Sequence, residues 1–212
     1  MIRINLTFIL LFFLQSVTVY SQNNLRDSVW FKNEIFSVIY SEKFEQPLWL
    51  KYRSTNRPTL VNRGSMDFYT EKNIKTSDSD DYLKNVYDKG HLAPAASFSD
   101  NLSNLRSTFS YLNSVLQNQY LNRGEWRFLE EQERKWDDVE NLTITVSVFF
   151  DKKSVFLTTG AKIPSFFKKH IYFEKQKIWK CFLFPNEKPD FKWQDAVTNC
   201  KSSEHRDLFV KK

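Results

Sequence analysis

The alternation of apolar and polar side chains marks several stretches of this chain as strands. Ile35 to Tyr40 (IFSVIY) reads as one strand and Leu48 to Arg53 (LWLKYR) as its partner, with a polar turn at Ser41 to Gln46. Met66 to Tyr69 is expected to extend a third strand, and the acidic run Thr76 to Asp81 reads as a loop. Asn141 to Phe150 (NLTITVSVFF) is rich in β-branched and aromatic residues, which suit a pleated and largely buried surface, so it is expected to be a central strand. Lys153 to Thr158 is expected to follow it, and Ile171 to Phe173 with Ile178 to Phe184 form a hairpin around Glu174 to Lys177. A helical rhythm places Leu105, Phe109, Leu112 and Leu116 on one face of Asn104 to Gln119. A clearer one places Trp126, Leu129, Glu133 and Trp136 together within Asn122 to Trp136. Strands and helices mix without a regular βαβ alternation, so the predicted class is α+β.

The first residues stand apart. Arg3, the apolar run Leu6 to Leu14 and the small-residue pattern Val19-Tyr20-Ser21 before Gln22 follow the order of a secretory signal peptide. The run is far short of the roughly 20 apolar residues that span a bilayer, so no membrane anchor is expected. Residues 1–21 are therefore set aside, and residues 22–212 are expected to form one domain. Hydrophobic content of 41% and aromatic content of 17% exclude a disordered chain. The formal charge of +6 favours encounters with polyanions, which agrees with a nucleic-acid partner without establishing one. In the oxidising setting that a leader implies, Cys181 and Cys200 are expected to pair, the alternative being two separate buried thiols. Two Cys and three His in the whole chain exclude a zinc-finger arrangement.

Two clusters carry candidate chemistry. His91 lies in Tyr87-Asp88-Lys89-Gly90-His91-Leu92-Ala93-Pro94, with an acid and a cation just upstream. Such a His titrates near neutral pH and can act as a base, although an isolated His is more often a packed or surface residue. Gly90 beside it is expected to allow unusual backbone angles and a close ligand. Downstream, Asn122 and Glu130 would share a helix face about 12 Å apart if the helix is regular. One oxygen ligand and one acid acting through water would suit magnesium, whereas the plain alternative is a helix cap and a solvated acidic face. His170 and His205 lack a motif and read as surface residues, with Lys168 and Lys169 adding to a nucleic-acid-binding face.

Together the two clusters resemble the DNA/RNA non-specific endonuclease family of the ββα-metal nucleases. Asp88-Lys89-Gly90-His91, then Asn113, then Leu121-Asn122 through Gly124, Trp126, Leu129 and Glu130 to Glu133-Arg134 keep that family's order and spacing. Weaker similarity at Trp49-Leu50-Lys51-Tyr52, Gly160, Pro164, Phe167-Lys168 and Pro185-Asn186 extends it over roughly residues 35 to 190. The resemblance implies a mixed, mainly antiparallel central sheet flanked by helices, with a ββα-metal motif. It implies cutting of DNA and RNA with little sequence preference, dependent on magnesium, with manganese or another divalent cation as a substitute. It assigns His91 as general base, Asn122 as direct metal ligand and Glu130 as a metal neighbour through water. Asn113 would position substrate or the His91 region, Asp88 would organise the loop, and Arg63 is a loose match to a phosphate-binding arginine.

One position departs from the pattern. Lys89 stands where the family has Arg, which keeps the charge but loses the planar two-bond grip on phosphate. The competing reading is therefore an exported nucleic-acid-binding protein of the same fold with weak or lost catalysis. A secreted or periplasmic location follows from the leader, and the sequence does not fix an oligomeric state.

Overall fold

The computed structural model describes residues 25–200, so the expected leader and His205 lie outside the described residues. Seven antiparallel strands form the main sheet: β1 (Val29–Lys32), β2 (Phe36–Ser41), β3 (Gln46–Ser54), β6 (Leu142–Phe149), β7 (Phe166–Phe173), β8 (Ile178–Pro185) and β9 (Val197–Thr198), adjacent in that order. The missing numbers belong to a separate two-stranded ribbon, β4 (Tyr87–His91) and β5 (Ser114–Asn118). The expected strand over Asn141 to Phe150 is β6, fourth of the seven, and its parity explains why. Leu142, Ile144, Val146 and Val148 are buried on one face, while Thr143, Thr145 and Phe149 point to the other. Phe36, Val38, Tyr40, Leu50, Tyr52, Phe167, Ile171, Phe173, Phe182 and Phe184 add to the same buried face.

The ribbon and the helices pack against that face. α1 (Leu102–Thr108) is capped by Asn101, whose side chain accepts from the Asn104 amide at 2.8 Å. From Gln119 the chain is helical almost without a break through α2 (Gln119–Leu121), a π-type segment at Asn122–Trp126 and α3 (Arg127–Asp137). Leu121, Trp126 and Leu129 seal this layer onto the sheet, with the Trp126 ring edge-on to Phe167 and Phe184 at 5.7 and 5.5 Å.

Several expectations fail for identifiable reasons. Asn104 to Gln119 is not one helix: α1 ends at Thr108, a short 3₁₀ turn follows, and Ser114–Asn118 pairs with the His91 strand. Leu105, Phe109, Leu112 and Leu116 are all buried, so the rhythm recorded burial and not a continuous helix. Met66 to Tyr69 contributes only the isolated bridge from Tyr69 to Ser110, and Lys153 to Thr158 only that from Phe156 to Lys162. Asn122 to Trp136 is helical but irregular, since the Gly124 backbone (φ −109°, ψ −114°) leaves the helical region. The axial distance expected between Asn122 and Glu130 on a regular helix therefore does not apply. Cys181 and Cys200 form the expected disulfide, tying β8 to the residues beyond β9.

Candidate active site

The strand period of two puts Lys89 and His91 on one face of β4 and Asp88 and Gly90 on the other. His91, the last residue of β4, has its ring 4.8 Å from that of Phe68 and 5.1 Å edge-on from that of Phe109. Its Nε2 is shielded and meets no protein hydrogen-bond partner among the described residues. Burial, aided by the charge of Arg63, pushes the imidazole down to about 3, so it is held neutral. Behind it, the fully buried Asn113 carboxamide accepts from the Ala93 amide at 2.8 Å and donates to the carbonyls of Ala93 and Thr108 at 2.9 and 2.8 Å. Asn113 thus anchors the chain just after His91.

Asp88 joins the ribbon to the helix. Its carboxylate accepts from Asn122 Nδ2 at 2.9 Å and from both Nε and Nη2 of Arg123 at 2.8 and 2.7 Å. With its nitrogen committed to Asp88, the Asn122 carboxamide leaves its oxygen as the end available to a cation. Glu130, one helical stretch on, has a buried Oε1 with no hydrogen-bond partner among the described residues. Burial pushes its carboxyl up to about 7, with Lys169 opposing the shift. His91, Asn122 and Glu130 line one cleft of about 500 Å³, whose walls also include Arg123, Arg127 and Arg134. Among the described residues no group of three or more His, Cys, Asp or Glu side chains could hold a metal. Asn122 and Glu130 are the cleft groups that could serve a cation, and magnesium tolerates few protein ligands because it keeps several waters.

Gly90 serves a different purpose from the one expected. Its φ is not positive, but a Cβ there would sit 2.4 Å from Gln117 Oε1 and 2.6 Å from Gln117 Cβ. Gly is therefore needed for close packing by the opposite strand and not for a strained turn. Neither Arg63 nor Lys89 lines the cleft. Arg63 lies over the Phe109 ring, 5.0 Å from its centroid, and Lys89 is ion-paired to Asp67 at 3.0 Å.

Other positions are corrected outright. Lys168 and Lys169 do not extend a surface patch, because both are buried. Lys169 is fully enclosed and pairs with Glu133 at 2.8 Å, while Tyr52 donates to the other Glu133 oxygen at 2.7 Å. His170 sits partly exposed on the outer sheet face, its ring 6.4 Å from that of Trp179. The arginines at 123, 127 and 134 received no separate roles in the sequence reading. Their rough four- and seven-residue spacing could have placed them on one helix face. Gln117 was also missed; it is buried, and both its amide atoms are without a partner among the described residues.

Comparisons with known proteins bear on the family and the fold. Residues 15–207 match the family model described as DNA/RNA non-specific endonuclease. The mitochondrial nuclease EXOG of Danio rerio is 29% identical over 122 residues, which cover 53% of this chain and 35% of that protein. The chain thus spans about a third of that curated relative's length. A solved chain of the EndoG/EndoGI complex, at 20% identity, superposes with a TM-score of 0.73 over 80% of each chain and so shares the fold. With most of its length matched by the family model, the chain belongs to the DNA/RNA non-specific endonuclease family.

Proposed function

We propose that residues 22–212 form one exported nuclease domain that hydrolyses phosphodiester bonds of DNA and RNA with little sequence preference, using magnesium or another divalent cation. The observation that carries this reading is the gathering of His91, Asn122 and Glu130 in one arginine-walled cleft. His91, held neutral and lining the cleft, takes the proton of the attacking water. Phe68 packs on the imidazole, Asn113 anchors the chain just after it, and Asp88 holds the nitrogen end of the Asn122 carboxamide. Asn122, with Glu130 acting through water, would hold the cation, and the orphaned Glu130 oxygen suits that donor set. When bound, a divalent cation neutralises phosphoryl charge and stabilises the leaving 3′ oxygen, giving 5′-phosphate ends. Arg123, Arg127 and Arg134 attract the phosphates, and contacts of that kind carry little base information. Arg63, close enough to His91 to lower its pKa, adds positive charge beside the base. Export into a periplasm or medium is supported by the leader-like residues 1–21 and by the Cys181–Cys200 disulfide. No helix among the described residues is long and apolar enough to cross a membrane.

The test is nicking of supercoiled plasmid, with RNA in parallel, by wild type and His91→Ala with magnesium or chelator. Wild type should cut only with the cation, and the variant should lose about 10² to 10⁴ in rate while staying folded. Cutting by the variant at a near-normal rate would remove His91 as the base. Tight binding by wild type with no cutting in any divalent cation would favour the non-catalytic reading that Lys89 raises.

A further inference from the structure

A short stretch, residues 63–69, lies against Lys89 and His91, the two side chains on one face of β4. Phe68 packs on the His91 ring at 4.8 Å, and the adjacent Asp67 carboxylate accepts from Lys89 Nζ at 3.0 Å. The Lys89 ammonium runs between two rings, 5.5 Å from the centroid of Phe68 and 5.4 Å from that of Tyr111. The stretch is pinned at its far end by backbone bonds from Tyr69 N to Phe109 O and from Tyr111 N to Tyr69 O, both 2.9 Å. Arg106 Nη1 adds a 2.8 Å bond to the Asp67 carbonyl. The Lys89 side chain is 22% exposed and that of Asp67 is 74% exposed, so the acid comes to a half-enclosed cation.

We infer that Asp67 and Lys89 are a positioning pair, whose contact seats Phe68 against the His91 ring and so fixes the base, and that Lys89 does not bind the substrate phosphate. The inference rests on His91 acting as the base. Lys89 serves His91 through Asp67 and Phe68: its ammonium is engaged by the Asp67 carboxylate and two rings, whereas Arg123, Arg127 and Arg134 are among the residues that line the cleft. A compact ammonium fits a slot between two rings and meets one carboxylate oxygen, which does not require the two-bond geometry that Arg would offer. An ion pair whose acid is exposed contributes little to global stability, so its effect should fall on the ring and not on the melting temperature.

Two measurements on the same variants test this. The chain has three His, so the His91 ring protons can be assigned by difference in a ¹H–¹³C spectrum of the protein without substrate. Asp67→Asn and Lys89→Met should each move the His91 ring resonances, which the Phe68 ring current displaces, at unchanged melting temperature. The charge swap Asp67→Lys with Lys89→Asp, and the conservative Lys89→Arg, should bring them back. In plasmid nicking, the two single variants should lower kcat about tenfold, since small misplacements of a catalytic group are costly. KM should stay within about twofold, because no substrate contact is lost. Unmoved His91 resonances in both single variants would overturn the proposal. So would a raised KM in Lys89→Met with Asp67→Asn unaffected, which is the signature of a phosphate contact. Resonances that move and recover in a chain that cuts nothing would uphold the positioning pair and refute the nuclease reading instead.

Discussion

Lys169→Met should be among the most damaging single changes in this protein, far more so than its place in a Lys-Lys-His run suggests. Lys169 and Glu133 are both fully buried and 2.8 Å apart, Tyr52 holds the second carboxylate oxygen at 2.7 Å, and the ammonium lies 4.1 Å over the Trp126 ring. Methionine keeps most of the stem and its packing but removes the charge. The Glu133 carboxylate is then left buried with Tyr52 as its remaining partner. Breaking a buried pair from one side typically costs about 3–5 kcal/mol, because an uncompensated charge remains in a low-dielectric setting. For a chain of this size each kcal/mol moves the melting temperature by roughly 2–4 °C, so a fall of about 6–20 °C is expected. Removing both charges together costs less than breaking the pair, so Lys169→Met with Glu133→Gln should recover a large part of the loss. The assay is urea and thermal unfolding with the disulfide intact. A single variant within about 1 kcal/mol of wild type would refute the reasoning, since that is the range of an exposed pair. A double variant no better than the single would do the same.

Two further predictions concern the cleft. Asn122→Ala should abolish most cation-dependent cutting and weaken Mn²⁺ binding measured by paramagnetic relaxation, whereas Glu130→Ala should cost less because it acts through water; equal effects would assign both to direct ligation. His91 should oppose folding in acid. Its folded value of about 3 lies below the ordinary 6.5, so the folded state resists protonation. The associated stability is fully present above pH 6.5 and is lost as pH falls toward 3. His91→Asn should therefore lose less stability than wild type across that window in denaturant titrations, and parallel stability curves for the two would contradict the burial argument.

The sequence disclosed the sheet better than the layer that bears the chemistry. β6 announces itself because apolar and β-branched polar residues alternate along Leu142 to Ser147, whereas β7, with Lys168 and Lys169 both buried, shows only its last residues, Ile171 to Phe173, in the sequence. β5 does not announce itself, because its five residues are paired to β4 by the ribbon and tied to β3 by a bond from the Leu116 amide to Gln46 Oε1. Those are long-range causes that leave no local period. Asp88, His91 and Asn122 were found through motif order, which records chemistry and not geometry. Asp67 and Phe68 were passed over because they lie outside any periodic element and matter only through what they touch. Lys169 escapes the sequence because the expected strand starts at Ile171, whereas β7 starts at Phe166 and carries Phe167, Lys169, Ile171 and Phe173 onto the buried face. A cation in an inward position of such a strand implies an acid opposite it.

Ser54 and Leu142, which end β3 and begin β6, are direct partners in the main sheet, yet the entire ribbon-and-helix layer lies between them in the chain. Pairing them closes a far larger loop than the Glu174–Lys177 turn, and the difference amounts to about 3 kcal/mol of closure entropy at roughly 0.6 per doubling. Local pairing within β1–β3 and within β6–β8 is accordingly expected to form early, with the β3–β6 seam late. Glu133 on α3 is held from both sides of that seam, by Tyr52 on β3 and Lys169 on β7. α3, which also carries Glu130, is therefore fully docked only when the slowest topological step is complete, so cutting during refolding should lag behind the formation of the hairpins and report on the joining of the two half-sheets.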